Sequence, residues 1–199
     1  NHFFFLERLQ FNPVYLAQRP LEDAIEVDTS VVLGPKAKRP LELKIPLLIG
    51  GMSYGSALSL RAKLALAKAA TMAGTATNSG SGPFLEAERA MADKYILQLT
   101  RGDWSRQAEV LSRVDMIEIS LGHGAWGSAP IRIKGQKVVG DFARLLGTIP
   151  GLEVLIDSRL PEVENEAQWR ELVSDLKKIT GGVPIAVKIG STHYLEREI

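Results

Sequence analysis

From residue 46 onward, short apolar runs alternate with helix-forming runs, and this alternation restricts the fold more than any other feature of the chain. "PLLIG" at 46–50 is an apolar run bounded by turn residues and predicts a buried strand. "SLRAKLALAKAATMAG" follows, rich in Ala, Leu and Lys, with Ser56 or Ser59 placed as N-cap and Gly74 as C-terminal stop. Together they make one strand–helix unit, and the unit recurs. "TATNS" predicts a strand at 75–79, "FLEAERAMADK" a helix at 84–94, "YILQLT" a strand at 95–100, "WSRQAEVLSR" a helix at 104–113 and "MIEIS" a strand at 116–120. After an irregular Gly-rich segment, "VVGDFARLLGTI" predicts a helix and "EVLID" a short extra strand. In "NEAQWRELVSDLKKIT" the apolar residues Trp169, Leu172, Val173, Leu176 and Ile179 fall on one helical face, with Asn165 and Gln168 in capping-box positions. "PIAVKIG" predicts the fifth principal strand, and "THYLEREI" begins another helix.

Strands that alternate with helices form a parallel sheet covered by helices, either an open doubly wound sheet or a closed (β/α)8 barrel. A TIM-type barrel needs roughly 250 residues, so on that reading the chain is incomplete and holds about five of the eight βα units. An open sheet would be complete as it stands. Residues 1–44 predict an extended lead-in with one short strand near Val31 to Leu33, because Pro13, Pro20, Pro35 and Pro40 are too closely spaced for a long helix. The start at Asn1 suggests that residues are missing upstream, and "NHFFFLERLQF" is too short and too charged for a signal peptide.

Composition narrows the function. The 24 basic and 23 acidic residues are scattered and leave a formal charge of +1, so there is no electrostatic case for nucleic acid. No apolar run has the length that crosses a bilayer, and a cytoplasmic location is expected. Without cysteine the chain itself holds no disulfide, thiolate metal site or cysteine-ligated cluster. His2, His123 and His193 lie far apart, which argues against a histidine metal site. A small-molecule ligand is the better expectation.

In either architecture ligands lie at the carboxyl ends of the strands. Those ends read "GGMSYGS", "TNSGSGP", "LTRGDWS", "SLGHGAWGS" and "VKIGSTH", and four of the five are rich in glycine and hydroxyl groups. Glycine lets backbone approach a ligand, and Ser, Thr and Asn add short hydrogen bonds. Any one of these stretches is also what an ordinary loop contains. Their recurrence at one end of successive strands points to a planar ligand, with its ring against the Gly50 to Ser53 backbone. Neither the dinucleotide nor the phosphate-loop fingerprint occurs.

Lys188 is the most telling single residue. In "PIAVKIG", Ile185, Val187 and Ile189 share one face, so Ala186, Lys188 and Gly190 share the other, which points inward in a barrel. An inward lysine needs an anionic partner. Glu118 in an ion pair and a bound cofactor are both candidates. His123 is either a hydrogen-bonding loop residue or a proton donor, and Trp126 either walls a pocket or covers the rim. Lys134 and Lys137 read as solvated surface.

"PLLIGGMSYGS", "TATNSGSG", "MIEISLGHGA" and "PIAVKIG", in this order and spacing, resemble the FMN-binding domain of glutamate synthase over about residues 40 to 199. The resemblance implies a (β/α)8 barrel over 45–199, partial in this chain, with FMN at the strand ends. It places Gly50, Gly51, Met52 and Ser53 along the isoalloxazine, Asn78 and Ser79 nearby, and Lys188 at the flavin N1–C2 edge. A cation there stabilises the anionic reduced ring. Ser81, Ser120, His123 and Trp126 depart from the family pattern, which carries glutamate, lysine, glutamine and lysine at those places. Two cations suited to a dicarboxylate are thereby lost.

The implied activity is FMN-dependent reduction of a small imine or 2-oxo acid-derived substrate, as in glutamate biosynthesis from 2-oxoglutarate and an amino donor. Electrons would come from a nicotinamide cofactor or a partner protein, and a glutaminase domain or subunit would be a further partner. An iron–sulfur cluster would have to be supplied from outside this chain. A homo-oligomer is compatible with the sequence. The alternatives are a non-catalytic or truncated barrel acting as a scaffold, and a flavin-free lyase or isomerase on the same barrel.

Overall fold

The computed structural model describes residues 15–17, 19–22, 25–122, 129–190 and 192–198. Its centre is a parallel sheet of four strands in the order β3 (Thr77–Asn78), β4 (Tyr95–Leu99), β5 (Met116–Ser120) and β8 (Ile185–Lys188). These are four of the five predicted principal strands. The two central strands, β4 and β5, read as near-continuous apolar runs and are buried almost throughout.

One face carries Tyr95, Leu97, Leu99, Ile117 and Ile119, all at 1% exposure or less, packed with Ala67, Leu111 and Leu176. Those three come from helices α1 (Leu60–Ala73), α3 (Ala108–Leu111) and α5 (Glu166–Ile179). Burial of each large aliphatic side chain stabilises the layer by about 1.5–3 kcal/mol. The opposite face is apolar only at the amino ends of the strands, where Ala76, Ile96 and Met116 meet Leu41 and Leu43. Leu41 and Leu43 belong to an antiparallel hairpin, β1 (Val31–Leu33) with β2 (Leu41–Leu43), that closes that end. The first of these strands follows the prediction; the second was not predicted.

Helix termini follow local chemistry. Ser59 caps α1 by accepting from the Ala62 N–H, and Gly74 ends it in the left-handed conformation at φ 69°. Asn165 caps α5 by accepting from Gln168 N–H at 3.0 Å. The Gln168 amide oxygen accepts in turn from the Glu164 N–H, one residue earlier than a capping box requires. Helix α2 (Glu86–Met91) is shorter than predicted, as are α3 and α4 (Gly140–Leu145). Helix α6 (Leu195–Glu198) forms where "THYLEREI" predicts one.

Residues 46–50 are not a buried strand. Leu47 and Leu48 are exposed, and the segment is tied to β3 by little more than Ile49 N–H to Ala76 O at 3.3 Å and the Thr75 hydroxyl to Leu47 O. The apolar run lies at the edge of the sheet, where a strand has a neighbour on one side only and its ladder is not completed. Between β5 and α5 the chain makes an excursion: β6 (Ile131–Ile133) pairs antiparallel with β7 (Val154–Ile156), and α4 packs on both. The "EVLID" prediction matches β7, and β6 was not predicted. No described helix is long and apolar enough to cross a membrane.

Candidate functional site

Towards the carboxyl ends of the strands the second face of the sheet turns from apolar to polar. The alternation that puts Ile96, Met116 and Ala186 over the hairpin puts Gln98, Glu118 and Lys188 two residues further along the same face. Gln98 Nε2 donates to Glu118 Oε1 at 2.5 Å, and the Ser81 hydroxyl donates to Gln98 Oε1 at 2.6 Å. Lys188 Nζ lies 3.9 Å from the same Glu118 oxygen, beyond hydrogen-bond range. Lys188 and Glu118 are partly exposed, so the row is open at one end.

The glycine exit meets this row. A Cβ on Gly51 would stand 2.8 Å from Gln98 Nε2 and 3.0 Å from Asn78 Oδ1, so the close approach needs glycine. Gly51 therefore connects through Gln98 and Glu118 to Lys188. A Cβ on Gly50, by contrast, would meet nothing within 4 Å. The loop after β3 packs just as tightly: Gly80, at φ 68°, would bring a Cβ to 2.5 Å from the Met52 carbonyl carbon. Ser53 Oγ accepts from Ser81 N–H at 2.9 Å.

Of the predicted site residues, Gly50, Gly51, Met52 and Ser53 form one loop. Asn78 and Ser79 lie beneath it and are buried. Asn78 Oδ1 accepts from Gly80 N–H, and Ser79 Oγ accepts from Gln98 N–H and donates to Gly80 O. These two side chains shape the loop. His123 and Trp126 lie outside the described residues.

Lys63, on α1, was missed by sequence reasoning. It is 1% exposed, and its Nζ donates to Met52 O at 3.0 Å, Asn78 O at 2.9 Å and Ser79 O at 3.0 Å. The same ammonium stands 2.9 Å from Glu88 Oε1 of α2, while Tyr95 OH donates to Glu88 Oε2 at 3.2 Å. Burial raises the Glu88 carboxyl above its ordinary value despite the opposing pull of Lys63. Burial, then the Glu88 charge, holds the Tyr95 phenol well above its usual range. The available signal was the spacing of Lys63, Ala67 and Ala70, which places a lysine on the face that α1 buries.

Beside the loop lies a cleft of about 570 Å³ lined by Met52, Ser53, Ser81, Trp104, Ile133 and Phe142. Trp104 Nε1 donates to Ser81 O at 3.0 Å. Arg132, Lys134 and Lys137 also line it. Lys134 and Lys137 are exposed, as expected of solvated surface, and Lys137 also donates to Ser56 O at 2.9 Å, which ties the excursion to the loop.

A parallel sheet covered by helices, with polar residues and glycine loops gathered at one set of strand ends, makes this an α/β protein, the class in which those ends are where ligands generally sit. Residues 10–198 match the family model described as the conserved region in glutamate synthase. The chain belongs to the glutamate synthase family. It is 35% identical over 185 residues to a glutamate synthase large subunit-like protein of Rhizobium meliloti (strain 1021), covering 92% of this chain and 42% of that protein. An archaeal-type glutamate synthase [NADPH] of Thermotoga sp. (strain RQ2) is 29% identical over 88% of this chain and 35% of its own length. An archaeal glutamate synthase [NADPH] of Methanocaldococcus jannaschii is 29% identical over 90% of this chain and 37% of its own. The chain thus spans about two fifths of the length of these curated relatives.

Proposed function

We propose that this chain forms the flavin-binding part of an FMN-dependent oxidoreductase of the glutamate synthase type, with its parallel sheet as one portion of a (β/α)8 barrel. The observation that carries this reading is the contact chain from Gly51 through Gln98 and Glu118 to Lys188. It joins a side-chain-free loop to a row of donors, acceptors and one cation on a single face. The residues suit a planar ring with polar edges: Gly50 has open space where a side chain would be, Gly51 keeps the backbone low, and Lys188 is not fully engaged by Glu118. When bound, FMN supplies hydride transfer to an acceptor.

This chain's own residues would hold and tune it. The Gly50 to Ser53 backbone lines the ring, and Asn78 and Ser79 fix the loop beneath. Lys188 places positive charge at the ring's edge, while Glu118 and Gln98 set the position of that amine. The cleft beside Ser53 and Ser81 receives a small imine or 2-oxo acid-derived substrate. Its apolar wall excludes water, and Lys134 supplies a cation for a carboxylate, beside Arg132, which is paired with Glu153 at 2.6 Å. His123 is the proposed proton donor. The [NADPH] in the relatives' names supports a nicotinamide electron source, direct or through a partner, and a glutaminase partner would deliver the amino group. We place the protein in the cytoplasm.

The test is the purified full-length protein. Yellow flavin absorbance, release of FMN on denaturation and NADPH oxidation dependent on a 2-oxo acid are expected. A colourless protein that takes up no added FMN overturns the reading and favours a scaffold or a flavin-free barrel enzyme.

A further inference from the structure

We infer that Lys63 is a positioning residue for the ligand site, acting from behind on the two glycine loops rather than touching the ligand. The functional side of the inference rests on the flavin reading above. Lys63 is a charged side chain at 1% exposure whose ammonium reaches carbonyl oxygens of both loops, Met52 on one and Asn78 and Ser79 on the other. Lysine is almost never buried unless paired, and here Glu88 Oε1 at 2.9 Å supplies the counter-charge from α2.

The three carbonyl bonds have a directional consequence. In a trans peptide the C=O and the following N–H point to opposite sides. Turning Met52 C=O towards Lys63 therefore turns the Ser53 N–H away from it, and Ser53 lines the cleft. Turning Ser79 C=O back sends the Gly80 N–H to Asn78 Oδ1, where it bonds at 2.9 Å. Turning Asn78 C=O back leaves the Ser79 N–H to pair with Ile96 O at 2.9 Å. One ammonium thus holds a peptide plane in each of the two loops, after Met52 and after Ser79, and anchors both to the end of β3 at Asn78 O. Glycine-rich backbone has little stiffness of its own, so an external clamp is what makes such a loop a preorganised surface.

A general core role and a positioning role separate in two variants of the full-length protein. Glu88→Gln leaves the ammonium on its three carbonyls but without its counter-charge, so it is expected to lower stability while the folded protein keeps both loops in place. Lys63→Met with Glu88→Gln removes both charges at nearly constant volume, so no unpaired charge stays buried. The inference expects Glu88→Gln to keep FMN affinity within about threefold, and the double variant to bind FMN at least about tenfold more weakly. Amide hydrogen exchange should accelerate at 51–56 and 79–82 in the double variant only, with α5 protection unchanged.

Equal losses in both variants, or unchanged affinity and exchange in the double variant, would overturn the inference. If the double variant does not fold, Lys63→Gln takes its place; failure of that variant to fold as well would make Lys63 a plain stability residue and also overturn it. Should the wild-type protein bind no FMN, the flavin reading fails by itself, and the hydrogen-exchange pattern still decides whether Lys63 clamps the loops.

Discussion

Lys188 Nζ stands 3.9 Å from Glu118 Oε1, two side chains on the same face of the adjacent parallel strands β8 and β5, and that oxygen is already held at 2.5 Å by Gln98 Nε2. Glu118 is close enough to orient the lysine yet makes its short bond elsewhere, which leaves the ammonium charge available to a ligand.

Replacing Lys188 by Met in the full-length protein is expected to lower the two-electron reduction potential of bound FMN. A partly exposed charge near the ring is worth roughly 1–2 kcal/mol after solvent screening, or about 20–40 mV. Potentiometric titration of wild type and variant checks this; an unchanged or raised potential would contradict the assigned role.

Two glycines should behave in opposite ways. Gly80→Ala forces a Cβ to 2.5 Å from the Met52 backbone at φ 68°, so a stability loss of about 2–4 kcal/mol is expected in chemical denaturation. Gly50→Ala meets nothing within 4 Å, so apo stability should stay within about 0.5 kcal/mol while FMN affinity falls. A Gly50→Ala protein with wild-type FMN affinity would remove this loop from the ring contacts.

Glu88 gives a pH signature. Burial raises its carboxyl above the ordinary value of 4.5 in the folded chain, so the native state holds the proton more tightly than the unfolded state. Its contribution is complete below the unfolded value and is lost as pH rises through the higher folded value. Urea denaturation of wild type and Glu88→Gln from pH 4 upward, about the carboxylate range, should therefore show a difference that changes with pH and then levels off. Parallel curves would rule out the upward shift.

Asn165→Ala removes the oxygen that accepts from Gln168 N–H, and α5 supplies Leu176 to the main core. A loss of about 1 kcal/mol is expected from thermal or chemical unfolding. No measurable change would mean that solvent satisfies the helix end equally well.

The strands β4, β5 and β8 were legible because apolar runs of that length between turn signals have few other uses, and α1 and α5 because their caps are local chemistry. Residues 46–50 looked the same in sequence, yet a strand needs a hydrogen-bonded ladder with at least one neighbour, and this segment makes only isolated bonds to residues 75 and 76. The hairpin partner β2 and the excursion strand β6 are three residues each, too short for periodicity to register. Lys188 could be assigned a face by alternation alone, whereas the bond from Gln98 to Glu118 depends on the register between β4 and β5.

By itself, then, the sequence determined what is set over a few residues: helix caps, the two-residue alternation of strands, glycine-rich exits and the absence of cysteine. Tertiary structure decided which of those pieces meet. Gly51 lies on Gln98, and Lys63 reaches Met52, Asn78 and Ser79 through a helix that in sequence is 11 to 16 residues away. The reason is physical: a buried ammonium is tolerated only where several oxygens converge, and that convergence exists only once the two loops, α1 and α2 are packed together.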